Sequence, residues 1–131
     1  MSRYCLDTSA YSRLRRGSER IANILDRAIW VGVPAVTLGE LRFGFLGGVH
    51  RTRNETELSD FLAASPVEVV PVDDAVARCY AEIVADLKRA GTPIPTNDAW
   101  IAACAAHTGS TVLTSDGHFE QIARIGTLLV I

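Results

Sequence analysis

Four acidic residues stand where apolar runs give way to helical patterns: Asp7 in RYCLDTSAY, Glu40 in TLGELRFG, Asp98 in TNDAWIAACA and Asp116 in LTSDGHF. Carboxylates gathered at one place repel one another, and partial burial of any of them adds a desolvation cost. A divalent cation relieves both penalties. Hard ions such as Mg²⁺ or Mn²⁺ favour carboxylate oxygen, and Mg²⁺ keeps waters that can serve as nucleophiles. The chemistry to look for is metal-assisted hydrolysis, with Asp7, Asp98 and Asp116 as ligands of one or two ions and Glu40 as a ligand or as the orienter of a bound water. No histidine–cysteine set competes for zinc.

Each acid also has an ordinary explanation. Asp7, Thr8 and Ser9 all make good helix N-caps, and Thr37 with Glu40 fits a capping box. Asp98 complements a helix dipole from the first turn, and Ser115-Asp116-Gly117 suits a turn. Their convergence is what these explanations leave unexplained. With Thr8 and Ser9 able to cap the helix, Asp7 is expected to project from a strand end toward Asp98 and Asp116.

Convergence follows from the elements that carry them. Short apolar runs at residues 3–7, 30–34, 67–72, 111–115 and 127–131 suit strands covered on both faces, as in a parallel sheet. Helical periodicity lies between them, at 18–29, at 73–90 and, almost apolar all round, at 97–109, with further helices at 37–46 and 51–64. Asp73 and Asp74 open one helix, Lys88 and Arg89 end it, and Gly91 follows, the order that capping and the dipole favour. Strand followed by helix, repeated, predicts an α/β fold with a mainly parallel sheet. In such sheets ligands bind beyond the carboxyl ends of the strands, and crossovers bring helix starts to the same rim. Residues 47–56 read as a flexible joint between two helices. The whole chain, 1–131, reads as a single domain.

Composition narrows the class. At 48% hydrophobic and 21% charged residues the chain is ordinary for a globular protein, and its formal charge of −2 gives no global basic field. Twelve of the 13 basic residues are arginine, whose planar fork suits phosphate. Three cysteines lie far apart in apolar runs, which predicts free buried thiols in a reducing cytoplasm. No charged-then-apolar leader opens the chain and no apolar run is long enough to span a bilayer, so no membrane partner is expected. His118 reads as a loop or helix-start residue packing on Phe119, and His50 and His107 stand apart from the acids.

LDTSAY, TLGELRFG, TNDAWIAACA and LTSDGHF, in this order, resemble the PIN-domain ribonucleases, and most of all the small stand-alone toxins of VapBC-type toxin–antitoxin pairs. The resemblance implies a three-layer α/β/α fold and Mg²⁺- or Mn²⁺-dependent cleavage of RNA by metal-activated water. Asp7, Glu40, Asp98 and Asp116 all match acidic positions of the family. Thr8, Ser9 and Asn97 match polar neighbours that orient ligands, and Ser115 joins that outer set. Glu120, the one candidate for a further acid, reads as peripheral. Arg13, Arg15, Arg16 and Arg42 are the candidates to hold the RNA backbone. Two protein partners are implied, a second copy of the chain and an antitoxin that inserts a segment into the acidic site. Leu38, Leu41, Phe43, Phe45, Leu46, Leu58, Phe61 and Leu62 form either that interface or core.

Rival readings fit less well. A receiver domain needs a lysine after its last site strand, whereas Lys88 lies within a helix. A haloacid-dehalogenase-like phosphotransferase needs an acid at position 9, where serine stands. An adhesion-type metal site would need serine at position 11, which is tyrosine. No glycine-rich loop cradles a nucleotide. The remaining alternative is a non-catalytic relative of the same fold, an RNA-binding or protein-interaction module, which would have no reason to keep four repelling acids.

Overall fold

The computed structural model describes residues 2–131. Five strands run through it: β1 (Arg3–Leu6), β2 (Trp30–Pro34), β3 (Val67–Val70), β4 (Thr111–Thr114) and β5 (Gly126–Leu129). They form one sheet in the order β3-β2-β1-β4-β5, with every neighbouring pair parallel. Six helices flank it: α1 (Thr8–Arg15), α2 (Glu19–Asp26), α3 (Ala35–Leu46), α4 (Arg51–Ala63), α5 (Asp74–Ala90) and α6 (Thr96–Thr108). A 3₁₀ turn at Gly117–Gln121 precedes β5.

Side chains that alternate across each strand build a core on both faces. Cys5 and Val112 point to the face covered by α5 and α6, where they pack with Val76, Ile83, Ile101 and Cys104. Leu6 and Leu113, one residue further on, point to the opposite face with Ala10, Ile21, Val31 and Val33. The expected three-layer α/β/α arrangement is therefore present. Among the described residues no helix is long and apolar enough to cross a membrane. The three cysteines are free, Cys5 and Cys104 fully buried and Cys79 half-buried.

The helix ends follow local chemistry. Asp73 caps α5 by accepting from the Val76 amide, and Ser18 caps α2 in the same way through Ile21. Gly91 and Gly109, at φ 69° and 63°, close α5 and α6 in the left-handed conformation that glycine adopts without strain.

Several expected boundaries move. α3 starts at Ala35, after Pro34, so Thr37 lies inside the helix and donates to the Leu6 carbonyl at 3.0 Å. The capping box with Glu40 is therefore not formed. α2 ends at Asp26, β3 at Val70 and β5 at Leu129, each short of its expected run. The presumed joint at 47–56 is mostly helix, because α4 begins at Arg51 and carries an ion pair of its own between Arg53 and Glu57. Of the eight apolar residues on α3 and α4, Leu38, Leu41, Phe45, Leu58, Phe61 and Leu62 pack together in the core. Phe43 and Leu46 stay exposed.

One glycine in the sheet is there for space. A Cβ on Gly32 would meet the Trp30 ring at 2.3 Å and the Val70 side chain at 3.0 Å. Trp30 cannot easily yield, since Arg3 lies over its ring at 4.4 Å and its indole N–H donates to Glu68 at 3.0 Å. Gly32→Ala is expected to destabilise the fold by about 1–3 kcal/mol through overpacking, read as a lower urea midpoint at unchanged m-value.

Candidate active site

β1 delivers Asp7 at its carboxyl end, and the residue does two things at once. Its backbone is extended and it is the N-cap of α1, with Oδ1 accepting from the Ala10 amide at 2.9 Å. The expectation that Thr8 or Ser9 would cap this helix and leave Asp7 free is therefore corrected. Ser9 Oγ donates to Asp7 at 2.8 Å, and Thr114 Oγ1 donates to Oδ2 at 2.5 Å. Asp7 is buried, 4% exposed. Burial pushes its carboxyl above the ordinary carboxylate value, against the pull of hydrogen bonds from Thr114, Ala10 and Ser9, and the Asp116 charge adds to the rise.

Thr114 ties β1 to β4. It is fully buried, and while its hydroxyl donates to Asp7 it accepts from the Asp116 amide at 2.8 Å. The Ser115 amide donates to Ser9 Oγ at 2.9 Å. The turn carrying Asp116 is thus latched to the turn carrying Asp7. Ser115, the residue expected to support the site, donates through its backbone amide, and its hydroxyl has no partner among the described residues. Thr114 fills that part. It was missed because a β-branched residue closing a strand reads as sheet-forming.

Asp98, in the first turn of α6, faces Asp116 across His118. The His118 Nδ1 lies 3.3 Å from Asp98 Oδ2 and 3.0 Å from Asp116 Oδ1. Burial pushes the Asp98 carboxyl up, the Asp116 charge pushes it further, the hydrogen bond from His118 opposes this, and Asp7 adds a smaller push. Asp98, Asp116 and His118 each offer one ligand atom, all within 4.8 Å of one another, a group that could hold a metal ion. His118 lies at a helix start, as expected, in the first turn of the 3₁₀ element, and its ring nitrogen faces the two acids. Its only sequence signal is its place two residues after Asp116.

Glu40 stands to one side. Its Oε1 accepts from Thr8 Oγ1 at 2.7 Å and its Oε2 from Asn97 Nδ2 at 3.3 Å. Thr8, Val36, Gly39, Glu40, Phe43 and Asn97 line an open cleft of about 630 Å³. The structure therefore gathers Asp7, Asp98 and Asp116 within electrostatic reach of one another, and joins Glu40 to them through Thr8 and Asn97. Glu120 is exposed on the 3₁₀ turn.

The arginines divide. Arg15 pairs with Glu57 at 3.4 Å and Arg42 pairs with Glu55, so α4 acids occupy both guanidiniums. Arg13 and Arg16 have no carboxylate partner among the described residues.

Two outcomes follow from this geometry. Thr114→Val keeps the shape but takes one hydrogen bond from a buried carboxylate, and is expected to lower stability by about 1.5–3 kcal/mol in chemical denaturation. The raised carboxyls of Asp7 and Asp98 bind protons more tightly folded than unfolded. They therefore contribute stability that is present below 3.8 and lost as pH climbs through their folded values. In EDTA, Asp98→Asn is expected to gain in Tm relative to wild type as pH rises from about 4 to neutrality.

The PIN domain family matches residues 4–125 of this chain. Ribonuclease VapC5 of Mycobacterium tuberculosis is 32% identical over 129 residues, covering 96% of this chain and 92% of its own. Ribonuclease VapC4 of the same organism is 34% identical over 99 residues, 76% of each chain. Among solved structures, DNA-bound VapBC from Salmonella typhimurium superposes with a TM-score of 0.85 at 28% identity, covering 98% of both chains. The chain belongs to the PIN domain family.

Proposed function

We propose that this chain, acting as one nuclease domain, is a metal-dependent endoribonuclease and the toxin of a toxin–antitoxin pair. The observation that supports this most is the meeting of Asp7, Asp98 and Asp116 on one rim, in a chain about a third identical to named ribonucleases. A single imidazole nitrogen within 3.3 Å of two carboxylates marks a place where positive charge is favoured. The donor set, rich in carboxylate oxygen and holding a carboxyl raised by burial and then by the Asp116 charge, fits a hard divalent ion.

Asp98, Asp116 and Asp7 would hold Mg²⁺ or Mn²⁺, one ion or two, with Glu40 as a ligand or as the holder of a bound water. Such an ion lowers the pKa of a water and neutralises charge at a phosphate. The rest falls to the chain. Ser9, Thr114 and the Ala10 amide hold the Asp7 oxygens in one orientation. Thr8 and Asn97 hold Glu40, and each of its oxygens keeps a lone pair for a water proton. Arg13 and Arg16, free of ion pairs among the described residues, are left to meet the RNA backbone, while Arg15 and Arg42 are already paired. Relatives solved as VapBC complexes support an antitoxin partner, and Leu46 at the end of α3 with Val49 in the turn that follows, both exposed, suit a second copy of the chain. The expected place of action is the cytoplasm.

Asp98→Asn is expected to reduce EDTA-sensitive cleavage of structured RNA by more than the roughly 10–100-fold that loss of a supporting partner costs, with the far-ultraviolet circular dichroism spectrum unchanged. Full Mg²⁺-dependent activity in that variant would falsify the assignment. Millimolar Mg²⁺ or Mn²⁺ is expected to raise the Tm of wild type and leave that of Asp98→Asn in place, because only an intact site binds the ion in the native state.

A further inference from the structure

An acidic rim is a poor place to hold a polyanion. Three carboxylates on one rim and a fourth beside them repel every phosphate whose charge a bound ion does not neutralise. Contacts that carry no charge avoid this opposition, and one side chain at the cleft supplies such a contact. Phe43 is 79% exposed and lines the same cleft as Thr8, Glu40 and Asn97. It takes no part in the apolar clusters that hold α3, which rest on Leu38, Leu41 and Phe45. One turn earlier, Gly39 has no side chain, and a Cβ there would meet nothing within 4 Å. Arg42, its neighbour, is drawn to Glu55 on α4. The ring is therefore an uncovered apolar plane on the lip of an open acidic cleft, with free space one turn away.

We propose that Phe43 is a base-stacking platform that seats an unpaired nucleotide of the RNA beside the scissile bond. Every base has a π face, so the contact tolerates sequence and demands single-stranded or looped RNA. The assignment rests on the endoribonuclease reading, and deepens it by naming what holds the base. It also divides labour in the cleft: Glu40 and Asn97 form its polar wall, and Phe43 its apolar one.

The test uses binding as well as turnover. Phe43→Ala is expected to raise KM for a mixed-sequence single-stranded RNA by roughly 5- to 150-fold with kcat much less affected, and Phe43→Trp to restore it. In the Asp98→Asn background, fluorescence anisotropy with labelled RNA is expected to show the same loss of affinity. The slope of log Kd against log salt is expected to stay unchanged, because no phosphate contact is removed. An RNA with an abasic nucleotide beside the cleaved bond is expected to bind Phe43→Ala and Phe43 proteins alike. Equal affinity of the two proteins for intact RNA, or equal losses of both on abasic RNA, would overturn the platform. So would a change confined to oligomeric state in light scattering, which would assign Phe43 to a second copy of the chain. Absence of metal-dependent cleavage by the unaltered protein would instead reject the nuclease reading, and the affinity difference would still report on stacking.

Discussion

A buried carboxylate has to be held by donors, and Asp7 is the point at which this fold meets that demand. Its oxygens accept from a backbone amide, from Ser9 and from Thr114. Those three donors belong to two segments more than a hundred residues apart, so satisfying one side chain draws β1 and β4 into register at their ends. The same bonds start α1 and fix the turn that presents Asp116. Cap and site member are one role here, because the geometry that satisfies the amide also aims the charge.

The sheet order explains why this place can host chemistry. β1 lies between β2 and β4, so the chain leaves β1 toward one side and later returns to the other. At such a switch point the loops part and leave a crevice at the carboxyl ends. Glu40 reaches it from the helix after β2 and Asp98 from the helix before β4. Both helices follow a proline, Pro34 or Pro95, whose extended backbone turns the chain from strand or loop into helix without a side-chain cap.

Much of this was legible in the residues. Continuous apolar runs such as WVGVP and TVLT mark strands covered on two faces, and the acids after them fall on one rim by connectivity alone. What stayed hidden depends on distances between segments. The meeting of His118 with Asp98 requires the 3₁₀ turn to fold back over α6, and no local pattern states that. The pairing of Arg15 and Arg42 requires α4 to lie against α1 and α3, so a cluster that suggests phosphate in sequence is partly neutralised in space. The start of α3 was misread for a plainer reason, since a proline supplied the helix entry where Thr37 and Glu40 offered a capping box.

The hydrogen bond from Thr114 to Asp7 joins partners 107 positions apart, and that separation has a meaning during synthesis. Asp7 leaves the ribosome 107 residues ahead of Thr114. Until β4 emerges, β1 has no neighbour on that side and the acids have no common rim. The acids are therefore brought together only once β4 has emerged, and a chain halted before β4 carries Asp7, Glu40 and even Asp98 without the geometry that sets them on one rim.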